Sequence, residues 1–114
     1  MSLERVLRTL EGLGLGRSAA EVYVHLAKKG PQEGATIADA LKLRKHNLHA
    51  ILKTLQDKGV VTASVEYPLM FSAVAFESAL DLLVEANMEQ AKVIQETRDE
   101  LLSEWRDMIK RNNT

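Results

Sequence analysis

The chain has 114 residues, enough for one domain or for one small domain with an appendage. It has no cysteine, which excludes disulfides, thiolate metal sites and cysteine catalysis, and no apolar run approaches the ~20 residues that span a bilayer. The formal charge of −1 hides a segregation: Lys42, Arg44, Lys45, Lys53 and Lys58 face one acid, Asp57, whereas residues 59–91 carry five acids and no Lys or Arg. A near-zero total therefore leaves room for a local basic face that meets phosphates. The N-terminus, MSLERVLRTLEGL, alternates charge with leucine and lacks the apolar core of a signal peptide. A cytoplasmic protein is the expectation.

In chain order, Leu3, Val6, Leu7 and Leu10 share one face of a first helix, which Gly12, Gly14 and Gly16 end. A second helix, capped by Gly16 or Ser18, runs to Lys29 with Ala19, Val22, Tyr23 and Leu26 inward, and Gly30-Pro31 stops it. His25 on this helix reads as a partly buried packing residue. Thr36 is expected to cap a short helix over Ile37 to Leu41, with Ile37, Ala40 and Leu41 inward.

After a tight connection at Lys42-Leu43 comes LRKHNLHAILKTLQDKGVV, residues 43–61. Leu48, Ile51, Leu52 and Leu55 fall at i, i+3, i+4 and i+7 and form its buried stripe. Turned away from it are His46, His49, Ala50 and Lys53, with Asn47 and Thr54 at the margin and Arg44 and Lys45 at the entrance. Two short helices joined by a few residues, the second basic, make a helix-turn-helix pattern.

Beyond Gly59 the period changes. Residues 60–65 are β-branched and small, Glu66-Tyr67-Pro68 reads as a turn, and residues 69–74 pair back as a second strand. Met70 and Phe71 read as anchors of this hairpin to the core. From Phe76 to about Lys110 a single helix is expected, since no Pro or Gly interrupts it. Leu80, Val84, Asn87, Ala91, Ile94, Arg98, Leu101, Trp105 and Met108 alternate by four and three, the seam of a left-handed coiled coil. Such a helix spans roughly 50 Å, more than the preceding residues can cover, so the seam calls for a second chain.

These residues together resemble the TrmB-type family of archaeal and bacterial transcription regulators, with MarR-like winged helices as more distant relatives. The resemblance is carried by Gly14-Leu15, Ala20, Tyr23 and Gly30-Pro31, by ATIADALKL, by LHAILKTLQDKGVV, and by FSAVAFESALDLL. It covers nearly the whole chain and includes no counterpart of the sugar-sensing domain of longer members, so it implies no effector. Three departures stand out. Arg44-Lys45-His46 replaces the family's Pro-Arg-Ser entrance, His49 stands where an aromatic is favoured, and the wing, SVEYPLMFSA, carries Glu66 and no Lys or Arg.

The expected fold is mainly α: a winged helix-turn-helix domain over residues 1–75, then a long C-terminal dimerisation helix over residues 76–114. The expected function is a homodimeric, sequence-specific DNA-binding regulator with the recognition helix, residues 44–58, in the major groove. Lys45 and His46 suit phosphates or guanine, Asn47 an adenine edge, and Lys53 the backbone; Arg44 and His49 complete the set. The partners expected are double-stranded DNA and a second copy, with no membrane. A protein-docking winged helix without DNA binding is the alternative, supported by the acidic wing, and a nonspecific chromatin-type protein is a third reading.

His46 and His49 at i, i+3 would hold a metal only with help from Asp39, Glu66 or His25, and read instead as solvent-facing imidazoles. No cofactor or metal is expected. The glycines at 12, 14 and 16 lack the preceding strand of a dinucleotide fingerprint, and no catalytic constellation is visible, so no enzyme is expected.

Overall fold

The computed structural model describes residues 2–112; residues 1, 113 and 114, the outer ends of the two expected domains, lie outside these. It is mainly helical with a small antiparallel sheet, the winged-helix arrangement, and has two compact units, residues 1–84 and 85–114. In the first unit α1 (Ser2–Gly12) and α2 (Arg17–Lys29) precede a short strand β1 (Gln32–Glu33). Then come α3 (Gly34–Leu41), α4 (Lys45–Asp57) and the hairpin β2 (Val61–Ala63) and β3 (Met70–Ala73). A fifth helix, α5 (Phe76–Glu96), begins in the first unit and ends in the second.

Two of the glycine exits have one physical cause. At the end of α1 the Leu15 N–H donates to Leu10 O (3.1 Å) and the Gly14 N–H to Glu11 O (3.0 Å). At the end of α4 the Val60 N–H donates to Leu55 O (3.1 Å) and the Gly59 N–H to Gln56 O (3.0 Å). Both are the paired closure that needs a left-handed residue, and Gly14 (φ 102°) and Gly59 (φ 79°) supply it. In each the residue after the glycine, Leu15 or Val60, packs into the core beside its hydrogen-bond acceptor, Leu10 or Leu55.

The helix-turn-helix connection also closes over a left-handed residue, but without glycine and with the Lys42 N–H on Ala38 O. Leu43 N–H reaches Ala38 O (2.9 Å) across Lys42, which adopts φ 55°, ψ 46°. A side chain at this conformation is strained by about 1 kcal/mol. Lys42→Gly should therefore raise stability by about 0.5–1 kcal/mol, read as a shifted urea midpoint at constant slope. An unchanged or lowered midpoint would contradict the strain argument.

The core is aliphatic with one aromatic at its centre. Leu7, Leu10, Leu15, Ala19, Ala20, Val22, Tyr23 and Leu26 meet Ile37, Ala38, Leu48, Leu52, Leu55, Val60, Val61, Ala79 and Leu83. The predicted stripes of α2 and α4 are in place, with Ile51 half-buried, whereas Leu3 stays exposed. Tyr23 is fully buried, and its hydroxyl donates to Val74 O at 2.6 Å while its ring lies 6.5 Å from that of Phe76. Helix α2 is thereby tied to the start of α5.

Burial pushes the Tyr23 phenol above its ordinary value of 10.0. A raised phenol favours the folded state while it stays protonated, so that contribution holds below pH 10 and is lost as pH rises through the folded value. Tyr23→Phe should cost about 1–2 kcal/mol by leaving the Val74 carbonyl unpaired, and should flatten the alkaline fall of stability. Denaturant melts at pH 8 and above pH 10 check both.

The structure departs from several expectations. Helix α3 starts at Gly34, not after Thr36, and its N-cap is Glu33 without a side-chain hydrogen bond, because the chain enters it directly from β1. Its buried partner of Ile37 is Ala38, not Ala40. These two alanines flank the Ile37–Leu41 line on opposite sides, so periodicity alone does not choose between them; docking does.

The C-terminal helix, expected to be continuous, is interrupted at Thr97 between α5 and α6 (Arg98–Asn112). Thr97 Oγ1 donates to Val93 O (2.9 Å), the carbonyl that also accepts the Thr97 N–H (3.0 Å). Leu101 N–H still reaches Thr97 O (3.0 Å).

The sheet has three strands, not two, in the order β1-β3-β2. Gln32 and Glu33 pair with Phe71 and Met70, and Val61, Thr62 and Ala63 pair with Ala73, Ser72 and Phe71. A strand of two polar residues has no period to detect. Its neighbour His25 shares a 2.7 Å hydrogen bond with Gln32, matching the partly buried role expected. Phe71 packs on the core as expected, while Met70 is half-buried outside it.

Among the described residues of the second unit none is buried. No helix is long and apolar enough to cross a membrane among the described residues.

Candidate nucleic-acid interface on helix α4

Helix α4 is held from beneath by Leu48, Leu52 and Leu55. One flank, at Ala50, Ile51 and Thr54, meets the start of α2 at Gly16–Ala19. On the other flank Lys45, Leu48, His49 and Leu52, at i, i+3, i+4 and i+7, face the wing across a groove of ≈ 630 Å³. Its remaining walls are Glu33, Gly34 and Ala35 where β1 meets α3, and Tyr67, Pro68, Leu69 and Phe71 of the wing; His46 lines its rim.

All six predicted residues, Arg44, Lys45, His46, Asn47, His49 and Lys53, are exposed. The fold gathers Lys45, His46 and His49 at the groove, while Arg44, Asn47 and Lys53 lie outside it. Arg44 is the N-cap of α4 and makes no side-chain cap bond. Among the described residues, none of the six forms a side-chain hydrogen bond or an ion pair.

The contrast with Arg17 is instructive. Its guanidinium grips Glu4 at 2.9 and 3.0 Å and Glu11 at 3.2 Å. Hydrogen bonds from Arg17, helped by its charge and by Arg8, pull the Glu4 carboxyl down to about 2. That cation is neutralised at home, and those of α4 are not. Among the described residues no group of three or more His, Asp or Glu is arranged as a metal site.

The wing turn is set by Ser64. Its N–H donates to Met70 O (2.8 Å), its Oγ accepts the Met70 N–H (2.8 Å), and its hydroxyl proton is shared by the carbonyls of Glu66 (3.1 Å) and Pro68 (3.2 Å). The Tyr67-Pro68 peptide is cis. Within this turn Tyr67 is 96% exposed and Val65 is fully exposed. Sequence reading placed the wing but not the groove, whose walls are brought together from positions 33–35, 45–52 and 67–71.

The model of the sugar-specific transcriptional regulator family TrmB matches residues 10–77, more than half of the chain and all of the helix-turn-helix and wing. The chain belongs to the TrmB family. Comparison with curated proteins finds no match. Among solved structures, the fold is similar to that of TrmBL2, an archaeal chromatin protein that binds DNA, with 20% identity and a TM-score of 0.74. That similarity covers 97% of this chain but only 43% of TrmBL2, so the chain spans less than half of that protein.

The ST1889 protein of the thermoacidophilic archaeon Sulfolobus tokodaii is 21% identical with a TM-score of 0.64, over 81% of this chain and 99% of that one. A transcriptional regulator of Thermotoga maritima, Tm0710, is 15% identical with a TM-score of 0.59, over 97% of this chain and 88% of that one. TrmB membership makes this a winged-helix transcriptional regulator by family, and the similar folds include MarR-like regulators.

Proposed function

We propose that this TrmB-family member is a sequence-specific DNA-binding regulator that acts as a homodimer, with α4 in the major groove. The observation that carries the reading is the exposed face of α4, where Arg44, Lys45, His46, Asn47, His49 and Lys53 present donors and charge with no intramolecular partner among the described residues. Lys45, His46 and Asn47, in the first turn, meet base edges or nearby phosphates; Arg44 and Lys53 hold the backbone, and His49 lies between. The uncapped first turn of α4 leaves N–H groups for a phosphate.

The second copy joins through Leu80, Val84, Asn87, Ala91, Ile94, Arg98, Leu101, Trp105 and Met108. Ile94 is 50% and Trp105 56% exposed in the single chain, an exposure that pairing removes. Domain 1–75 then reads DNA and residues 76–114 set the spacing of two half-sites. Selection of bound sequences from a random duplex pool, followed by anisotropy titration at two salt concentrations, tests the reading. A selected pseudo-palindrome with steep salt dependence supports it, and equal affinity for every duplex, or none, overturns it.

A wing without cations that exposes Val65 and Tyr67 favours a second reading, a protein-docking winged helix. A stoichiometric protein partner with no duplex affinity distinguishes it.

A further inference from the structure

Two polar residues stand in the otherwise apolar seam of the C-terminal helices, Asn87 on α5 and Arg98 on α6. The helical phase carries through Thr97 between them. Its N–H reaches Val93 O (3.0 Å) and its carbonyl accepts the Leu101 N–H (3.0 Å), each a bond across four residues. Seam positions on both sides of Thr97 therefore share one face. Arg98 is exposed, and its ion pair with the adjacent, equally exposed Asp99 is long at 3.4 Å. Such a pair holds the guanidinium weakly. An amide and a guanidinium carried into a seam need polar partners there, because burial without them is strongly unfavourable.

Orientation decides whether they find them. In a parallel pair each seam residue faces its own counterpart, so Arg98 meets the second copy's Arg98 and like charges share the seam. In an antiparallel pair the line through Val84, Ala91, Arg98 and Trp105 faces the line through Leu80, Asn87, Ile94 and Leu101. One register puts Arg98 opposite the second copy's Asn87, and symmetry makes that pair twice. The same register sets Ala91 against Ile94, Val84 against Leu101 and Leu80 against Trp105, so every other layer of this span joins two apolar residues. A slip of one heptad sets Arg98 against Leu80 or Ile94, and Asn87 against Ala91 or Trp105.

We propose that two copies of this chain pair through α5 and α6 as an antiparallel coiled coil, with Asn87 of each copy against Arg98 of the other. The inference rests on the homodimer of the proposed function and adds its orientation and register. The Arg98 guanidinium donates to the Asn87 amide oxygen across the seam. The two-fold axis crosses between residues 92 and 93. The starts of the two α5 helices then lie at opposite ends of the pair, roughly 50 Å apart along it.

The chain has no cysteine, so single spin labels report orientation directly. Lys92→Cys and Arg106→Cys each place a label at an exposed position beside the seam. Double electron–electron resonance should give under about 25 Å between the labels at residue 92 and roughly 40–45 Å between those at residue 106. A parallel pair gives short distances at both, and a slip of one heptad moves the longer one by about 10 Å. Asn87→Asp turns the amide pair into a charged one and should tighten the dimer at least about fivefold at low salt, read by sedimentation equilibrium. In a parallel pair the same change opposes two carboxylates and loosens it. Short distances at both labels, or a dimer weakened by Asn87→Asp, overturns the antiparallel register and leaves the homodimer standing. A monomer at every concentration overturns both.

Discussion

Lys45→Glu with Lys53→Glu should reduce affinity for a selected duplex by at least about 100-fold at ~0.1 M salt. Both lysines lie exposed on α4 and neither has an acidic partner among the described residues, so reversal does not strip the fold of an ion pair. What it removes is counterion release: each phosphate neutralised contributes about −0.9 to the slope of log K against log salt. In a dimer the double change removes four cations and adds four anions, and the wing, with Glu66 and no Lys or Arg, offers nothing to replace them. The measurement is fluorescence anisotropy across salt concentrations, with the thermal melt as a control for folding. Affinity and slope both unchanged would show that α4 is not the DNA face. Glu4 and Arg17, which satisfy each other, should by contrast be silent in this assay.

The second large effect is on assembly. Ile94→Glu with Leu101→Glu should turn the dimer into a monomer at micromolar concentration, read by light scattering. Each apolar seam residue is worth about 1.5–3 kcal/mol when buried, and four carboxylates per dimer would have to be desolvated to re-form it. Helix content should fall as well. None of residues 85–112 is buried within the single chain, so without a partner this helical stretch has little tertiary packing to hold it. The first unit should keep its own cooperative melt, because its core is drawn entirely from residues 7–83. Duplex affinity should fall with it, since one recognition helix then has to bind a half-site alone. A variant that stays dimeric would remove the seam from the assembly and with it the half-site geometry.

The local exits were legible in the chain because glycine has a specific conformational use. Gly14 and Gly59 sit where a left-handed residue closes a helix, and an apolar residue follows each to fill the core. The stripes of α2 and α4 were equally legible, since a helical period sorts Val22, Tyr23, Leu26, Leu48, Leu52 and Leu55 onto inward faces. Where two residues were equivalent by period, as Ala38 and Ala40 are, the sequence was silent. Lys42 was hidden for another reason: a turn that favours glycine carries a lysine there, and the surrounding hydrogen bonds impose the conformation. Strand β1 was hidden because two polar residues pair only once β3 is beside them.

By itself, the sequence determined the order of helices and hairpin, the buried faces, the basic surface of α4 and the family. Each of these depends on spacing of a few residues along one element, which the backbone period converts into a face. The tertiary structure alone decided what meets across elements. It set Ala35, His49 and Leu69 around one groove and placed the Tyr23 hydroxyl on the Val74 carbonyl. It also added β1 to the wing and left the α4 cations without an ion pair among the described residues. These contacts join residues up to 51 positions apart, and no local period carries that information.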